Sequence, residues 1–364
     1  MKTPVLYCIF NRLDVVKKTF EPIPAARPER LYIAADGPRL YKPGEKELTE
    51  NVRKYVLDNV DWDCEVKTLF RDKNVGCENA ISSSLEWIFS QEKEAIIVEE
   101  DILTSAQFFE FCELMLNRYR DNPKVRSISG FNQISDKYAF EDYHFIPIGH
   151  IWGWATWRSA LYPDNGLVYK YYPNNYYSRS CNRAFVLNQI TSRKDFQRSL
   201  SVDFFSESRW ENNLALYWLI NNPNSYTILP NKNLTSHIGD VGFHFSGQNN
   251  WNIPIETFDI NKLKINKTPV NDIEYSDMFW EEYLFKSCFQ KYGRENIDVK
   301  AVKQDYYKIK SDIITSFLKW FYYRYIKFMK KRAKTIQEQY LHNKYLLTTI
   351  EPFYIYTKYY YKKS

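Results

Sequence analysis

Within its first hundred residues the chain alternates short apolar runs with stretches of helical spacing, an order few folds accept. Residues 5–10 are an apolar run that stops at Asn11-Arg12, and residues 13–20 follow with helical periodicity. Residues 31–35 form a second run, closed by the turn sequence Asp36-Gly37-Pro38. Residues 46–59 are amphipathic, and residues 64–70 make a third run. Asn74-Val75-Gly76 opens a helix reaching about residue 89, and residues 95–98 are a fourth, wholly apolar run. Short continuous runs suit strands buried on both faces, and strands separated by helices pair in parallel. The pattern predicts an α/β fold, a mostly parallel sheet flanked by helices, in a body spanning residues 1–295.

Composition narrows the class. With 44% hydrophobic residues and only 11 Gly and 15 Pro in 364 residues, the chain is a folded globular protein. No apolar stretch approaches the ~18 residues a spanning helix needs; the longest clear run is 214–220. The apolar stretch near the N-terminus is too short for a secretory h-region. The six Cys (8, 64, 77, 112, 181 and 288) contain no C-x-x-C pair, which predicts reduced core thiols and a cytoplasmic location.

Charge is unevenly placed. Residues 301–364 hold 14 Lys and Arg against 4 Asp and Glu, whereas the other 300 residues carry a net −4. Two common nucleotide signatures are missing: no G-x-G-x-x-G follows the first run, and no G-x-x-x-x-G-K-[ST] occurs. Any bound phosphate needs another source of positive charge. The stretch Ala95-Ile96-Ile97-Val98-Glu99-Glu100-Asp101-Ile102 suggests one. An apolar strand runs into three acids, and in an open α/β sheet the carboxyl ends of strands face the ligand crevice. Adjacent carboxylates repel one another unless a cation sits among them. Such oxygen ligands suit Mg²⁺ or Mn²⁺, with a substrate diphosphate completing the shell. A solvated acidic loop is the alternative.

Taken together, the stretch VEEDILTSAQFF (residues 98–109), Phe10-Asn11-Arg12, Asp36-Gly37 and Asn74-Val75-Gly76 resemble the GT-A glycosyltransferases, in particular the N-acetylglucosaminyltransferase I type and related bacterial enzymes. The segments HIWGWATW (150–157), Arg209-Trp210-Glu211 and NLTSHIG (233–239), with His244 beyond, continue the motif order. The resemblance spans residues 3–250. It implies a metal-dependent, inverting transfer of sugar from a nucleotide-sugar, with UDP-sugars favoured, to a hydroxyl of a surface glycan or lipid-linked glycan acceptor.

The same resemblance implies roles for single residues. Asp101 and His244 would be the metal ligands, with His237 second to His244, and Glu100 would touch the donor ribose or the metal's waters. Phe10, Asn11, Arg12, Asp36 and Gly37 would line the nucleotide pocket, with Asp36 accepting from the base. Lys73, Asn79, Glu99, Gly153 and Trp154 would complete nucleotide-sugar binding. The aromatics Trp152, Trp154 and Trp157 divide between core packing and an acceptor platform. Inversion needs a carboxylate to take the acceptor proton; Glu211, after Trp210, stands at that place, with Asp203 as backup. A sugar-phosphate nucleotidyltransferase, or a non-catalytic glycan- or nucleotide-binding protein on the same scaffold, remains an alternative.

Residues 296–364 form the basic, aromatic end of the chain, predicted as a helical C-terminal extension. Between residues 312 and 334, Ile313, Phe317, Trp320, Phe321 and Phe328 fall on one helical stripe, largely opposite Lys319, Lys327, Lys330 and Lys334. That pattern fits an anchor on an anionic membrane surface, peripheral on the inner face of the plasma membrane, or a helix packed on the body. Nothing in the body resembles a groove-reading module, so no nucleic acid partner is expected.

Overall fold

The computed structural model describes residues 1–135, 141–162 and most of 224–279, with Leu214 and Trp218. The chain divides into two compact units, Met1–Asn175 with Ser208–Ser276, and Tyr176–Glu207 with Asp277–Ser364. Nearly all described residues lie in the first. The C-terminal extension, its amphipathic stripe included, lies outside them.

The first unit opens β1 (Val5–Ile9), α1 (Leu13–Phe20), α2 (Pro22–Ala26), β2 (Arg30–Ala35), α3 (Glu45–Asp58), β3 (Glu65–Phe70), α4 (Cys77–Phe89) and β4 (Glu94–Glu99). Apart from α2, every one of these elements stands where the sequence pattern puts it. Next come β5 (Ile102–Thr104), α5 (Ala106–Tyr119), β6 (Val125–Ser129), β7 (Tyr143–Ile146), β8 (Trp154–Trp157), α6 (Arg158–Leu161), β9 (Tyr226–Pro230) and β10 (Thr235–His237). Eight strands make one sheet in the order β3-β2-β1-β4-β8-β6-β9-β7, and β10 pairs with β5 in a separate ribbon. Only β8 and β7 run against the rest, each antiparallel to its sheet neighbours. The predicted fold class, a mostly parallel α/β sheet flanked by helices, is the one observed.

Alternation along β1 shows why its run is continuous. Val5, Tyr7 and Ile9 face a core shared with α1, α2, α3 and α5, whereas Leu6 and Cys8 face Ile81, Leu85, Ile88 and Phe89 of α4. Both faces are dry, so each position is apolar. The edge strand β3 carries Glu65 and Lys67, charges that discourage further pairing. Helix α5 starts at Ser105, whose Oγ accepts the Phe108 N–H at 3.0 Å, a side-chain N-cap. Phe108 and Phe109 then enter the core fully buried, their rings edge to face. The thiol expectation holds for Cys8 and Cys112 but not for Cys77, which is exposed at the start of α4, nor fully for half-buried Cys64.

One topological feature positions the site. From β1 the chain proceeds to β2 and β3 on one side, while β4 lies on the other. The carboxyl ends of β1 and β4 therefore flank a switch point, the place where an open α/β sheet leaves a crevice. Truncating Phe109 to Ala should cost about 3–5 kcal/mol in chemical denaturation, because the wall it leaves behind cannot collapse fully.

Candidate active site

Where β1 ends, the chain presents Phe10, Asn11 and Arg12; where β4 ends, it presents Glu100 and Asp101. The two groups are joined directly. Arg12 Nε donates to Glu100 Oε1 at 2.6 Å, and the Phe10 N–H donates to Glu100 Oε2 at 2.6 Å. Arg12 Nη2 donates to Asp101 Oδ2 at 3.0 Å. The cation that the acidic run requires is thus, in part, the Arg12 guanidinium. Burial pushes the Glu100 carboxyl up, against the pull of Arg12 and the Phe10 N–H. Burial likewise disfavours the Arg12 charge, which the two acids more than restore.

The β5–β10 ribbon brings a third group to this point. Its register pairs His237 with Ile102, next to Asp101, and the Ile238 N–H donates to the Asp101 carbonyl at 2.9 Å. His237 Nε2 lies 3.5 Å from Asp101 Oδ2. Gly239 leaves this spot open; a Cβ there would sit 3.0 Å from Arg12 Nη1 and 3.1 Å from Asp101 Oδ2. On the far side of His237 lies an aromatic cluster. The Trp152 ring is 5.5 Å from His237 and stacks on His150 at 4.4 Å with planes 3° apart. Phe131 meets both rings edge-on, and Trp251 lies 5.1 Å from Trp152. Gly153, at φ +76°, lets the chain turn here; a Cβ would meet Thr235 Cγ2 at 2.7 Å.

A second cluster joins the first through the Asp36 N–H, which donates to the Ile9 carbonyl at 3.2 Å. Asp36 Oδ1 accepts from the Gly37 N–H at 2.8 Å and the Val75 N–H at 3.0 Å. Its Oδ2 accepts from Asn74 Nδ2 at 2.8 Å and has capacity for one more donor. Asp36 thereby ties the loop after β2 to the loop before α4. Two residues that the sequence reading did not single out complete the network. Glu45, buried at the start of α3, accepts from Asn11 Nδ2 at 3.0 Å and from the Arg39 N–H at 2.7 Å, and forms an ion pair with the Arg39 guanidinium. That guanidinium lies 5.3 Å from the Phe10 ring centre. A Glu opening a helix reads as a dipole-stabilising surface acid, and nothing in the sequence shows its partners.

The structure therefore gathers Phe10, Asn11, Arg12, Asp36, Gly37, Glu100 and Asp101 at one end of the sheet. Glu99, half-buried, is the last residue of β4 and stands opposite Cys8. Exposed Lys73 touches this region through its backbone, which abuts Gly37. Asn79 sits on the first turn of α4, bonded to the Val75 carbonyl. Glu100 and Trp154 are both buried. Each Glu100 oxygen takes one protein donor, the Phe10 N–H and the Arg12 Nε–H, so this carboxylate anchors Arg12 to the end of β1. Trp154 is 1% exposed and packs among Leu6, Cys8, Ile97 and Leu161, because β8 alternation turns it into the core. Glu211, Asp203 and His244 lie outside the described residues.

Asp101 and His237 suit a divalent cation. They offer a carboxylate oxygen and an imidazole nitrogen 3.5 Å apart, next to Gly239, where an added Cβ would crowd both Arg12 and Asp101. Among the described residues no third His, Cys, Asp or Glu completes a ligand set, and His244 is not one of them.

No protein-family model and no curated protein matches the sequence. Among solved structures, S. aureus TarS 1-349 aligns at 10% identity with a TM-score of 0.39, covering 100% of this chain and 92% of that one. The same fragment in complex with UDP-GlcNAc gives 8% identity and 0.37, covering 100% and 93%. HddC from Yersinia pseudotuberculosis gives 10% identity and 0.27, covering 44% of this chain and 80% of its own. Likeness at this level identifies no function.

The Glu45 cluster yields a pH test. The Arg39 guanidinium holds the Glu45 carboxyl below the usual carboxylate range. A depressed native pKa contributes stability that is present above the unfolded value of ~4.3 and lost as pH falls through the native one. Glu45→Gln should therefore cost about 1.5–3 kcal/mol at neutral pH, the range for charged hydrogen bonds. That deficit should shrink to nothing in acid unfolding curves below the carboxylate range.

Proposed function

We propose that this chain is a GT-A glycosyltransferase that moves a sugar, with inversion, from a nucleotide-sugar to an acceptor hydroxyl. The observation that carries this reading is the meeting of Arg12, Asp101 and His237 at the switch point between β1 and β4. A guanidinium, a carboxylate and an imidazole in that crevice suit a diphosphate and its counter-ion. A UDP-sugar is the favoured donor, and the acceptor is a glycan or lipid-linked glycan of the cell surface.

In this reading Arg12 orients the donor through its phosphate oxygens, and the pocket formed by Phe10, Asn11 and Asp36 takes the nucleoside. Asp101, with His244 or His237, would hold Mn²⁺ or Mg²⁺, whose charge would balance that of the departing nucleoside diphosphate. Trp152, half-buried beside His237, offers an aromatic face to a sugar ring. Glu211 is the base, with Asp203 as its backup. As the acceptor oxygen bonds to the anomeric carbon, its proton passes to that carboxylate and the bond to the diphosphate breaks.

Release of nucleoside diphosphate, measured across a donor panel with and without Mn²⁺, tests the reading; release from none of the donors overturns it. Glu211→Gln should leave donor binding in place while transfer falls by ~10²–10⁴-fold, the usual share of a general base. If Asp203→Asn shows that loss instead, Asp203 is the base.

The basic aromatic residues 296–364 serve, in the same reading, as a peripheral anchor on the inner face of the plasma membrane, where a lipid-linked acceptor resides. Among the described residues no helix is long and apolar enough to cross a membrane. Full-length protein should co-sediment with anionic liposomes at low salt, and deletion of residues 312–364 should abolish this. Retention of binding by the truncated chain refutes the anchor.

A further inference from the structure

The Arg39 guanidinium is gripped along one edge and covered on one face. Glu45 takes its Nε at 3.0 and 2.8 Å and its Nη2 as well, so a carboxylate holds the edge. One face lies over the Phe10 ring, 5.3 Å from its centre. Among the described residues Phe10 is the one ring against this guanidinium, and no group hydrogen-bonds its Nη1. The side chain keeps 21% exposure, against 5% for that of Glu45. A held edge and a covered face fix the plane of a guanidinium and leave its other face open.

Glu45 keeps that plane in register with the rest of the pocket. It is buried at the first position of α3, and its Oε1 also takes Asn11 Nδ2 at 3.0 Å. Its Oε2 takes the Arg39 N–H at 2.7 Å, which pins the backbone too. Phe10 and Asn11 follow β1, whereas Arg39 follows β2. One carboxylate therefore sets the loops after both strands. Phe10 cannot offer a planar ligand the face that Arg39 covers. On that side the flat surface available is the guanidinium itself, a weakly hydrated cation that stacks on π systems. Asp36, three positions before Arg39, keeps acceptor capacity on Oδ2.

We propose that Arg39 is a nucleobase platform: its open face takes the base of the donor, Phe10 backs it, and Glu45 holds it flat. This rests on the donor reading above and deepens it, adding a stacking residue to Phe10 and Asp36. Arg39 touches the base, and Glu45 acts through Arg39 as a positioning residue. The role involves the base alone and not the diphosphate.

The test measures, by calorimetry on the full chain with Mn²⁺ throughout, the affinities of UDP and of ribose 5-diphosphate, which lacks the base. Wild type should prefer UDP. Arg39→Lys keeps a cation for Glu45 but has no planar face. It should weaken UDP by ~5- to 100-fold, the order of a base-stacking contact, and leave ribose 5-diphosphate unchanged. Glu45→Gln loosens the plane without removing it, so UDP should weaken by a smaller factor, again with no effect on ribose 5-diphosphate. Loss of a merely structural arginine would move both ligands together. Should one variant fail to fold, the other decides. Equal losses for the two ligands in a folded variant overturn the platform, as does Arg39→Lys binding UDP like wild type. Wild type binding ribose 5-diphosphate as tightly as UDP also overturns it. Wild type binding neither ligand instead overturns the donor reading.

Discussion

A buried carboxylate without donors would neutralise itself or unfold its surroundings, and Glu100 avoids both by drawing on the end of β1. Its two oxygens take the Arg12 Nε–H and the Phe10 N–H, while its own carbonyl accepts from Thr19 Oγ1 on α1 at 2.7 Å. Thr19 in turn meets the Tyr7 hydroxyl inside the core at 2.7 Å. Through its side chain and its carbonyl, this one residue ties two strands and a helix together at the mouth of the sheet. Removing it would leave Arg12 without its fixed partner, and the groups that cluster there would lose their common frame.

Much of the fold is legible in the sequence because the central strands have no wet face. Continuous apolar runs mark β1, β2 and β4, and the breaks at Asn11, Asp36 and Glu99 mark where the strands leave the core. Helix α2 leaves no sequence signal, because five residues containing two prolines carry too little periodicity. The site was legible by halves. Acids after a strand announce a charged crevice, and Asp101 is found there with His237 beside it. That Glu100 spends both oxygens on Arg12 and Phe10 depends on a contact across some ninety positions, which no local pattern encodes.

The tryptophans show the same division. Trp152 and Trp154 differ by two positions, a spacing that on a strand would put both on one face. The left-handed turn at Gly153 separates them: Trp152 joins the rings beside His237, while Trp154 enters β8 and is sealed beneath the sheet. Arg39 and Glu45 were hidden for a different reason. Each resembles an ordinary surface charge until the loop after β2 folds back and sets the guanidinium over Phe10.

The pairing of β5 with β10 has a consequence for how such a sequence can change. His237 reaches Asp101 through the backbone register of three residue pairs, Thr235–Thr104, Ser236–Leu103 and His237–Ile102. Side chains along a strand alternate, so a slip of one residue would turn the imidazole to the opposite face while leaving every amino acid in place. Substitutions nearby can be absorbed by repacking; an insertion or deletion between Leu234 and His237 cannot. This ribbon is thus tolerant of changes in residue type and intolerant of changes in length, so alterations of chain length can accumulate only outside it.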